Sequence, residues 1–349
     1  MTQLAYLISS DYARTTGGWI YNERVLQELR RLEYSIERNG LAAGFPDPGA
    51  EAIVAAGRVL AGLADGTLVL ADQVVLSPLA GLLPEAAKRL RFAMLMHHPQ
   101  VLEGSRPPAL AARLDAEERG ALQQMTLVIA TSHLTAAQLV ADYGVDAAKL
   151  ITAEPGTDPQ TPSPGSGGPG LHMLSIGSVI PRKRHELIIA ALAGLQEHSW
   201  RLTIVGNLDR EQGHVAMLRR MIEDHDLSQR IAFAGERTGK DMDALWKGAD
   251  LYAAAAIHEG FGMAVAEAIA RQIPVVSTRS GAVGSWLDPR ASILVEPDDV
   301  ATMRDALRRV LSEPQLRRDL RQGTGLARTA LPTWQQTAAK IDAALRPMA

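Results

Sequence analysis

The most suggestive residues for chemistry are three consecutive cations, Arg182, Lys183 and Arg184, placed between an apolar strand-like run and a helical pattern. Cations at a helix N-terminus oppose the helix dipole and cost about a few tenths of a kcal/mol each on an exposed surface. A bound anion reverses that sign, because charge-assisted hydrogen bonds to a diphosphate contribute about 1.5–3 kcal/mol apiece. The turn therefore predicts a phosphate site, and a solvated basic turn is the alternative interpretation.

A second turn combines carboxylates with glycines in the stretch Glu259-Gly-Phe-Gly-Met263, and Glu267 follows two helical turns later. The backbone N–H groups of Gly260 and Gly262 can bind hydroxyls or phosphate oxygens. The residues around Glu267 are nearly all apolar, so its carboxylate appears in a buried-looking helix and needs a partner. Ribose hydroxyls would serve as that partner.

Two further turns lie in the first half of the chain. Gly17-Gly18 precedes a helical pattern, and glycines there let a ligand approach the backbone, although a tight strand–helix turn explains them equally well. His97 directly follows the apolar run Arg91–Met96. A histidine at a strand end can hydrogen-bond a sugar hydroxyl or accept a proton, and a surface histidine is the alternative.

The elements that must position these residues alternate between short apolar runs and longer helical patterns, which is typical of parallel α/β architecture. Strands are expected at Leu4–Ile8, Thr67–Leu70, Arg91–Met96, Leu127–Ala130, Leu150–Thr152, Leu171–Ile176, Arg201–Val205, Arg230–Phe233, Leu251–Ala254, Pro274–Ser277 and Ser292–Val295. Helices are expected between them, the first four at Trp19–Leu32, Ala50–Leu63, Ala109–Gln124 and Leu134–Tyr143.

The stretch 158–170 interrupts this alternation with a run of prolines and glycines, which predicts a flexible, unpacked linker. We therefore expect an N-terminal domain at 1–157 and a C-terminal domain at 171–330 that face each other across a cleft. The last segment, 331–349, is expected to form a helix that packs back on the N-terminal domain.

Composition narrows the classes of function. The 349 residues carry a net charge of −3, which gives no reason to expect nucleic acid or an anionic membrane as a partner. The chain has no cysteine, so disulfides, cysteine–zinc sites and thiol nucleophiles are excluded. No apolar stretch approaches the roughly 18 residues of a membrane span. These features favour a soluble, cytoplasmic protein.

The string His258–Ala270, followed by Ile273-Pro-Val-Val276 and Ser280-Gly-Ala282, closely resembles the family 4 retaining glycosyltransferases, also called group 1 glycosyl transferases. Further matches in order are Gly17-Gly18, His97, Gly177 to Lys183, and Val205-Gly206. The resemblance implies the GT-B fold, in which two Rossmann-like domains face a cleft. It also implies transfer of a hexosyl group from a nucleotide-diphosphate sugar, a UDP- or GDP-sugar, with retention at the anomeric carbon.

The same resemblance implies roles for individual residues. Lys183 resembles the lysine on the donor diphosphate, Glu259 the first glutamate of a pair, near the donor sugar, and Glu267 the second, on the ribose. His97 is similar to the histidine near the reacting centre, so the catalytic candidates are His97, Lys183 and Glu259. The remaining donor-binding candidates are Gly17, Gly18, Arg182, Gly206, Glu236, Arg237, Gly260, Phe261, Gly262 and Met263.

Three sites, four residues in all, depart from the family pattern. Ser178 stands where arginine is usual, with Arg182 as a candidate for the missing charge; Gln272 replaces a glycine, and Gly284-Ser285 stand where Pro-Glu is common. Alternatives that remain open are a non-catalytic nucleotide-sugar-binding subunit and another GT-B enzyme, such as a sugar-nucleotide epimerase.

The expected reaction needs no cofactor beyond the nucleotide sugar, which is a substrate. No Asp-x-Asp sequence falls at a strand end, so no catalytic metal is expected. The acceptor is unidentified. The N-terminal domain shows no basic amphipathic helix with exposed aromatic residues, which favours a soluble metabolite over a lipid.

Overall fold

The computed structural model describes residues 2–11, 16–104 and 106–348, and the chain divides into two compact units. The N-terminal unit comprises Met1–Gly156 together with Pro332–Ala349, and the C-terminal unit comprises Thr157–Leu331. Each unit is built on a parallel sheet with helices between successive strands. The prediction of parallel α/β architecture is confirmed.

The N-terminal sheet has six strands in the order β2-β1-β3-β4-β5-β6, all paired in parallel. The strands are β1 Thr2–Ser9, β2 Tyr34–Leu41, β3 Leu68–Asp72, β4 Arg91–Met96, β5 Leu127–Ala130 and β6 Leu150–Thr152. The helices of this half are α1 Gly17–Arg31, α2 Ala50–Gly62, α3 Gln73–Leu76, α4 Leu83–Ala86, α5 Pro108–Gln123 and α6 His133–Tyr143. Strands β3 and β5 are buried along their whole length, because helices cover a parallel sheet on both faces.

Strand β2 is absent from the sequence-based expectation. Its end residues Tyr34 and Leu41 are buried, the six residues between them are partly buried or exposed, and it pairs only with β1, at the edge of the sheet. An edge strand needs no continuous apolar run. Strand β2 has none, so the apolar pattern of the sequence did not predict it.

The C-terminal sheet also has six parallel strands, in the order β12-β11-β10-β7-β8-β9. The strands are β7 Leu171–Ile176, β8 Trp200–Val205, β9 Ile231–Gly235, β10 Leu251–Ala254, β11 Val275–Thr278 and β12 Ser292–Val295. The helices are α7 His185–Ala193, α8 Gln212–Asp224, α9 Gly239–Lys247, α10 Met263–Ala270, α11 Val283–Trp286, α12 Val300–Ser312 and α13 Pro314–Ala327. The order reverses between β10 and β7, and ligands of such sheets bind beyond the carboxyl ends of the strands at that point.

The proline- and glycine-rich segment 158–170 packs against the C-terminal unit. The Ser163 hydroxyl donates to the carbonyls of Lys247 and Ala249, both at 3.0 Å, and the Ser163 amide donates to the Arg271 carbonyl at 2.7 Å. The expectation of an unpacked, flexible linker is wrong for this segment, because side chains and carbonyls of the C-terminal unit satisfy its polar groups. Composition alone does not show such partners.

Helix α14, Trp334–Leu345, returns to the N-terminal unit. The Thr337 hydroxyl donates to the Glu154 carbonyl at 2.7 Å, and the rings of Trp334 and Tyr21 lie 6.0 Å apart. A side chain at Gly156 would collide with the Trp334 backbone, since a Cβ there would lie 2.2 Å from its nitrogen. The close approach of chain and helix therefore depends on glycine at position 156.

Candidate active site

Two glycines end neighbouring strands in the C-terminal unit and leave room for Lys183. Gly177 and Gly206 follow β7 and β8 with φ values of +151° and +152°. A Cβ on Gly206 would lie 2.0 Å from the Gly177 carbonyl oxygen, and a Cβ on Gly177 would lie 2.9 Å from Cε of Lys183. Only glycine permits this combination of backbone conformation and close approach. The two strand ends thus lie together, with the lysine side chain against them.

The structure brings Lys183 and Glu259 into direct contact. Lys183 Nζ donates to Glu259 Oε1 at 2.5 Å, and each side chain is 18% exposed. Arg182 Nη1 donates to the His258 carbonyl at 2.6 Å and lies 3.8 Å from Glu259 Oε2. Residues 182–183 and 258–259, which are 76 positions apart, therefore form one charged cluster at the carboxyl edge of the sheet. Arg182 fixes this loop through a main-chain carbonyl.

Helix α10 begins beside that cluster without a side-chain cap. Gly262 is its N-cap, has a φ of +93°, and offers no side-chain acceptor to the first-turn amides. The Phe261 ring stacks on Trp286 at 5.1 Å, and the Trp286 indole N–H donates to the Phe261 carbonyl at 2.7 Å. The loop Glu259–Met263 is thereby fixed while the helix N-terminus keeps its capacity to bind an anion.

Gly281 holds the Glu259 backbone from the other side. Its φ is +53°, and a Cβ there would lie 2.4 Å from the Glu259 carbonyl oxygen. The adjacent Ala282 amide donates to the same oxygen at 3.0 Å. The loop after β11 therefore positions Glu259, in addition to the contacts from Lys183 and Arg182.

Glu267 differs from its expected environment. Its side chain is 39% exposed, so the carboxylate does not lie in the apolar interior, although the rest of α10 is largely buried. Surrounding protein still raises the pKa of Glu267 by desolvation, while the Arg271 guanidinium, 3.9 Å away at i+4, opposes that rise. The side chains of a helix point in different directions around its axis. Glu267 can therefore reach solvent while most of the apolar residues of α10 are buried.

Two buried side chains near the predicted site were not foreseen. The phenol of Tyr252 donates to the Ile176 carbonyl at 3.3 Å, and burial raises its pKa, with further contributions from both Glu259 and Glu267. Tyr252 thus lies within electrostatic reach of both predicted glutamates. His185 follows the basic turn, and burial lowers its pKa to about 3, so its imidazole is neutral beside Lys183 at pH 7.

The remaining candidates of this unit lie in separate turns. Glu236 and Arg237 are exposed after β9, where Glu236 accepts from the Asn207 side chain at 3.4 Å and Arg237 donates to the Glu236 carbonyl at 2.9 Å. Ser285 lies in α11 and donates to the Ala282 carbonyl at 2.7 Å.

In the N-terminal unit, Gly18 and His97 are brought together. Gly17 and Gly18 open α1, whose N-cap Thr16 accepts from the Trp19 amide at 3.2 Å. A Cβ on Gly18 would lie 3.1 Å from Cδ2 of His97. The glycine therefore lets the start of the helix lie against the imidazole. Thr15, at the start of the Gly17-Gly18 turn, falls outside the described residues.

His97 also has partners that the sequence reasoning missed. Its Nε2 lies 3.1 Å from Asp72 Oδ2 and 3.2 Å from Asn22 Oδ1. Asp72 ends β3 as His97 follows β4, and a polar residue that ends an apolar strand was the available signal. Asn22 lies inside a helix, and nothing in the sequence singles it out.

Two further properties of residues 2–11, 16–104 and 106–348 concern membrane crossing and metal binding. No helix in these ranges has both the length and the apolar character to cross a membrane. They also contain no group of three or more His, Cys, Asp or Glu side chains arranged to hold a metal ion.

Most of the C-terminal unit matches the model of a known protein family. The model described as Glycosyl transferases group 1 matches residues 161–324. A D-inositol 3-phosphate glycosyltransferase from Pseudarthrobacter chlorophenolicus is 28% identical over 237 residues, 62% of this chain and 56% of the relative. An MMP alpha-(1->4)-mannosyltransferase from Mycolicibacterium hassiacum is 26% identical over 318 residues, 86% of this chain and 75% of the relative. The chain thus spans little more than half of the first of these relatives and three quarters of the second.

Solved structures agree on the fold across the whole chain. A sucrose-phosphate synthase from Thermosynechococcus elongatus has a TM-score of 0.82 at 19% identity and covers 100% of this chain and 99% of its own. HepE from Anabaena, in complex with UDP-glucose, has a TM-score of 0.81 at 17% identity and covers 99% of this chain and 100% of its own. Together with the two parallel six-stranded sheets, these likenesses show the GT-B fold, which consists of two Rossmann-like units. The resemblance seen in the sequence is confirmed: residues 161–324 match the family model of the group 1 glycosyl transferases, and the relatives that align with this chain are named glycosyltransferases.

Proposed function

We propose that the protein is a retaining glycosyltransferase that moves a hexosyl group from a UDP- or GDP-sugar to a small acceptor without a metal ion. The observation that carries this proposal is the cluster of Lys183, Arg182 and Glu259 beside the uncapped N-terminus of α10. Cations and the amides of a helix N-terminus favour a diphosphate, and a carboxylate next to them favours sugar hydroxyls. The UDP-glucose bound to the structurally similar HepE supports the same ligand class.

In this proposal the C-terminal unit holds the donor. Lys183 contacts the diphosphate, Glu259 the sugar, Glu267 the ribose, and the Glu236–Arg237 turn the base. The amides of Gly260 to Met263 bind the sugar and the phosphate. Gly206 keeps the strand ends close, as its contact with Gly177 requires. In the N-terminal unit, Gly17, Gly18 and His97 are the proposed contacts, with His97 hydrogen-bonding a sugar hydroxyl.

The chemistry then depends on positioning and on stabilising the departing charge. The acceptor hydroxyl attacks the anomeric carbon on the face from which the diphosphate leaves, and a departing diphosphate oxygen takes its proton. Lys183 and the first amides of α10 stabilise the negative charge that develops on the leaving group. This route needs no carboxylate pair placed for double displacement.

For the acceptor we propose a soluble metabolite. Curated relatives are named D-inositol 3-phosphate glycosyltransferase, which describes a small polar acceptor for those proteins.

A thermal-shift and hydrolysis screen with UDP-, GDP- and ADP-sugars, with and without EDTA, tests the proposal. We expect one nucleotide to raise the melting temperature and its sugar conjugate to release the nucleoside diphosphate slowly and equally in EDTA. Stabilisation with no release or transfer to any acceptor would favour a non-catalytic nucleotide-sugar-binding subunit. Loss of turnover in EDTA would contradict the metal-independent mechanism.

A further inference from the structure

The imidazole of His97 lies among buried polar side chains from three elements. Asp72 ends β3, Asn22 belongs to α1, and His97 follows β4. Asp72 is 1% exposed, Asn22 is fully buried, and the His97 side chain is 14% exposed. Polar groups buried to this degree are costly unless they are hydrogen-bonded to one another. The cluster therefore has a defined arrangement of donors and acceptors.

The hydrogen-bond directions assign the proton of the ring. Asn22 Nδ2 donates to Asp72 Oδ2 at 2.7 Å, so the Asn22 Oδ1 that lies 3.2 Å from the ring is an acceptor. His97 Nε2 lies 3.1 Å from the same Asp72 oxygen, which is also an acceptor. A ring nitrogen that faces two acceptors carries a hydrogen. Nε2 therefore carries a hydrogen, and in this tautomer Nδ1 is the acceptor.

The backbone around the cluster is held as well. The second Asp72 oxygen accepts from the Val74 amide at 3.0 Å, which caps α3 and fixes the carboxylate. The His97 amide donates to the Gln73 side chain at 2.8 Å, and the His97 carbonyl accepts from Thr131 at 3.1 Å. The Tyr21 ring meets the imidazole edge to face at 5.3 Å. The ring thus has little freedom to turn.

We propose that Asp72 and Asn22 are positioning residues that fix the Nε2–H tautomer of His97, so that Nδ1 meets the substrate as a hydrogen-bond acceptor. This inference rests on the proposed function, in which His97 contacts the sugar. A carboxylate that orients a histidine through one nitrogen defines what the other nitrogen does. Without the Asp72 charge, the ring populates both tautomers, and only one of them accepts from a sugar hydroxyl.

The first test is independent of activity. Long-range 15N–1H NMR of the histidine rings should show His97 as the Nε2–H tautomer in the wild-type protein, with His97→Gln identifying its signals. Asp72→Asn should give a mixture of tautomers. The double variant Asn22→Asp/Asp72→Asn, which moves the carboxylate to the other side of Nε2, should restore the wild-type pattern. A wild-type ring protonated on Nδ1 would overturn the proposal.

The second test separates positioning from binding. In the donor-hydrolysis assay, Asp72→Asn should lower kcat about 10- to 100-fold with little change in the KM of the nucleotide sugar, and the double variant should recover most of that loss. Asp146→Asn is the matched control, because Asp146 likewise caps a backbone amide, that of Ala148 at 2.9 Å, but lies away from His97. It should leave kcat unchanged.

The outcomes distinguish this inference from the proposed function. If Lys183→Ala and His97→Gln lower turnover while Asp72→Asn does not, the inference fails and the proposed function stands. If no nucleotide sugar is turned over or Lys183→Ala is as active as wild type, the proposed function fails, and the NMR spectra alone decide the tautomer assignment.

Discussion

Replacing Glu259 with glutamine should have opposite effects on nucleotide binding and on transfer. In the structure Lys183 is paired with Glu259 at 2.5 Å, and Arg182 lies 3.8 Å from the other carboxylate oxygen. A diphosphate must therefore compete with Glu259 for the lysine and approach a negative carboxylate. Glutamine keeps the shape of the side chain and removes the charge. We expect a free nucleoside diphosphate to bind Glu259→Gln more tightly.

The size of the effect follows from the exposure of the pair. Two unit charges 4 Å apart interact by about 4 kcal/mol at an effective dielectric constant of 20. Both side chains are 18% exposed, and solvent screening together with desolvation reduces the net value of such a pair to about 1 kcal/mol. That corresponds to roughly fivefold tighter binding of the diphosphate. Transfer should fall by about 10- to 100-fold, because the sugar loses a charge-assisted hydrogen bond.

Isothermal titration of UDP and GDP measures the first effect, and the release of nucleoside diphosphate from the matching sugar nucleotide measures the second. Glu313→Gln is the control, since it removes a carboxylate of the same unit that lies 3.6 Å from Arg309 on the surface. The control should change neither quantity. Equal or weaker nucleotide binding by Glu259→Gln would refute the reasoning that Glu259 competes for Lys183.

Three further predictions concern stability and the loop that holds the site. Gly281→Ala should destabilise the fold by about 2 kcal/mol or more and abolish the stabilisation by nucleotide, because the added Cβ would lie 2.4 Å from the Glu259 carbonyl oxygen. The control is Gly213→Ala, whose added Cβ would meet no atom within 4 Å. In a thermal-shift assay this control should show neither effect. Burial raises the pKa of Glu118 to about 7, above the roughly 4.3 of the unfolded chain, so the wild-type protein loses stability as the pH rises through this interval. Urea unfolding should show that Glu118→Gln, relative to wild type, gains on the order of 3 kcal/mol between pH 4.5 and 8, and an equal difference at both pH values would contradict this. Gln272 follows α10 with a φ of +56°, so Gln272→Gly should raise the free energy of unfolding by about 1 kcal/mol, whereas Gln272→Ala should not.

The fold was largely predictable because its inner strands are apolar and its helices amphipathic. Strands β4, β5, β6, β7, β10 and β12 have the bounds that the sequence predicts. The edge strand Tyr34–Leu41 was not predictable, because one neighbour and partial exposure leave no apolar run to detect. The packing of Ser163 could not be predicted for a different reason. Its hydroxyl donates to carbonyls of residues more than 80 positions away in the sequence.

The charged cluster could be predicted as a set of turns at one sheet edge, since parallel strands end on the same side. The sequence could not show which side chains and carbonyls contact one another or how exposed each side chain is. It did not show that Arg182 would donate to the His258 carbonyl, or that Glu267 would remain 39% exposed. Asp72 and Asn22 were missed because their contact with His97 depends on how α1 lies across the ends of β3 and β4.

The most direct test of the central claim is the rate at which nucleoside diphosphate is released from UDP- and GDP-sugars by wild type and by Lys183→Ala, with inositol phosphates and sugar phosphates supplied as acceptors. We predict release from one sugar nucleotide by the wild type and a rate about 10- to 100-fold lower for Lys183→Ala, which still folds. Equal rates for the two proteins would contradict the assignment of the donor site, and no release from any sugar nucleotide would contradict the proposed activity.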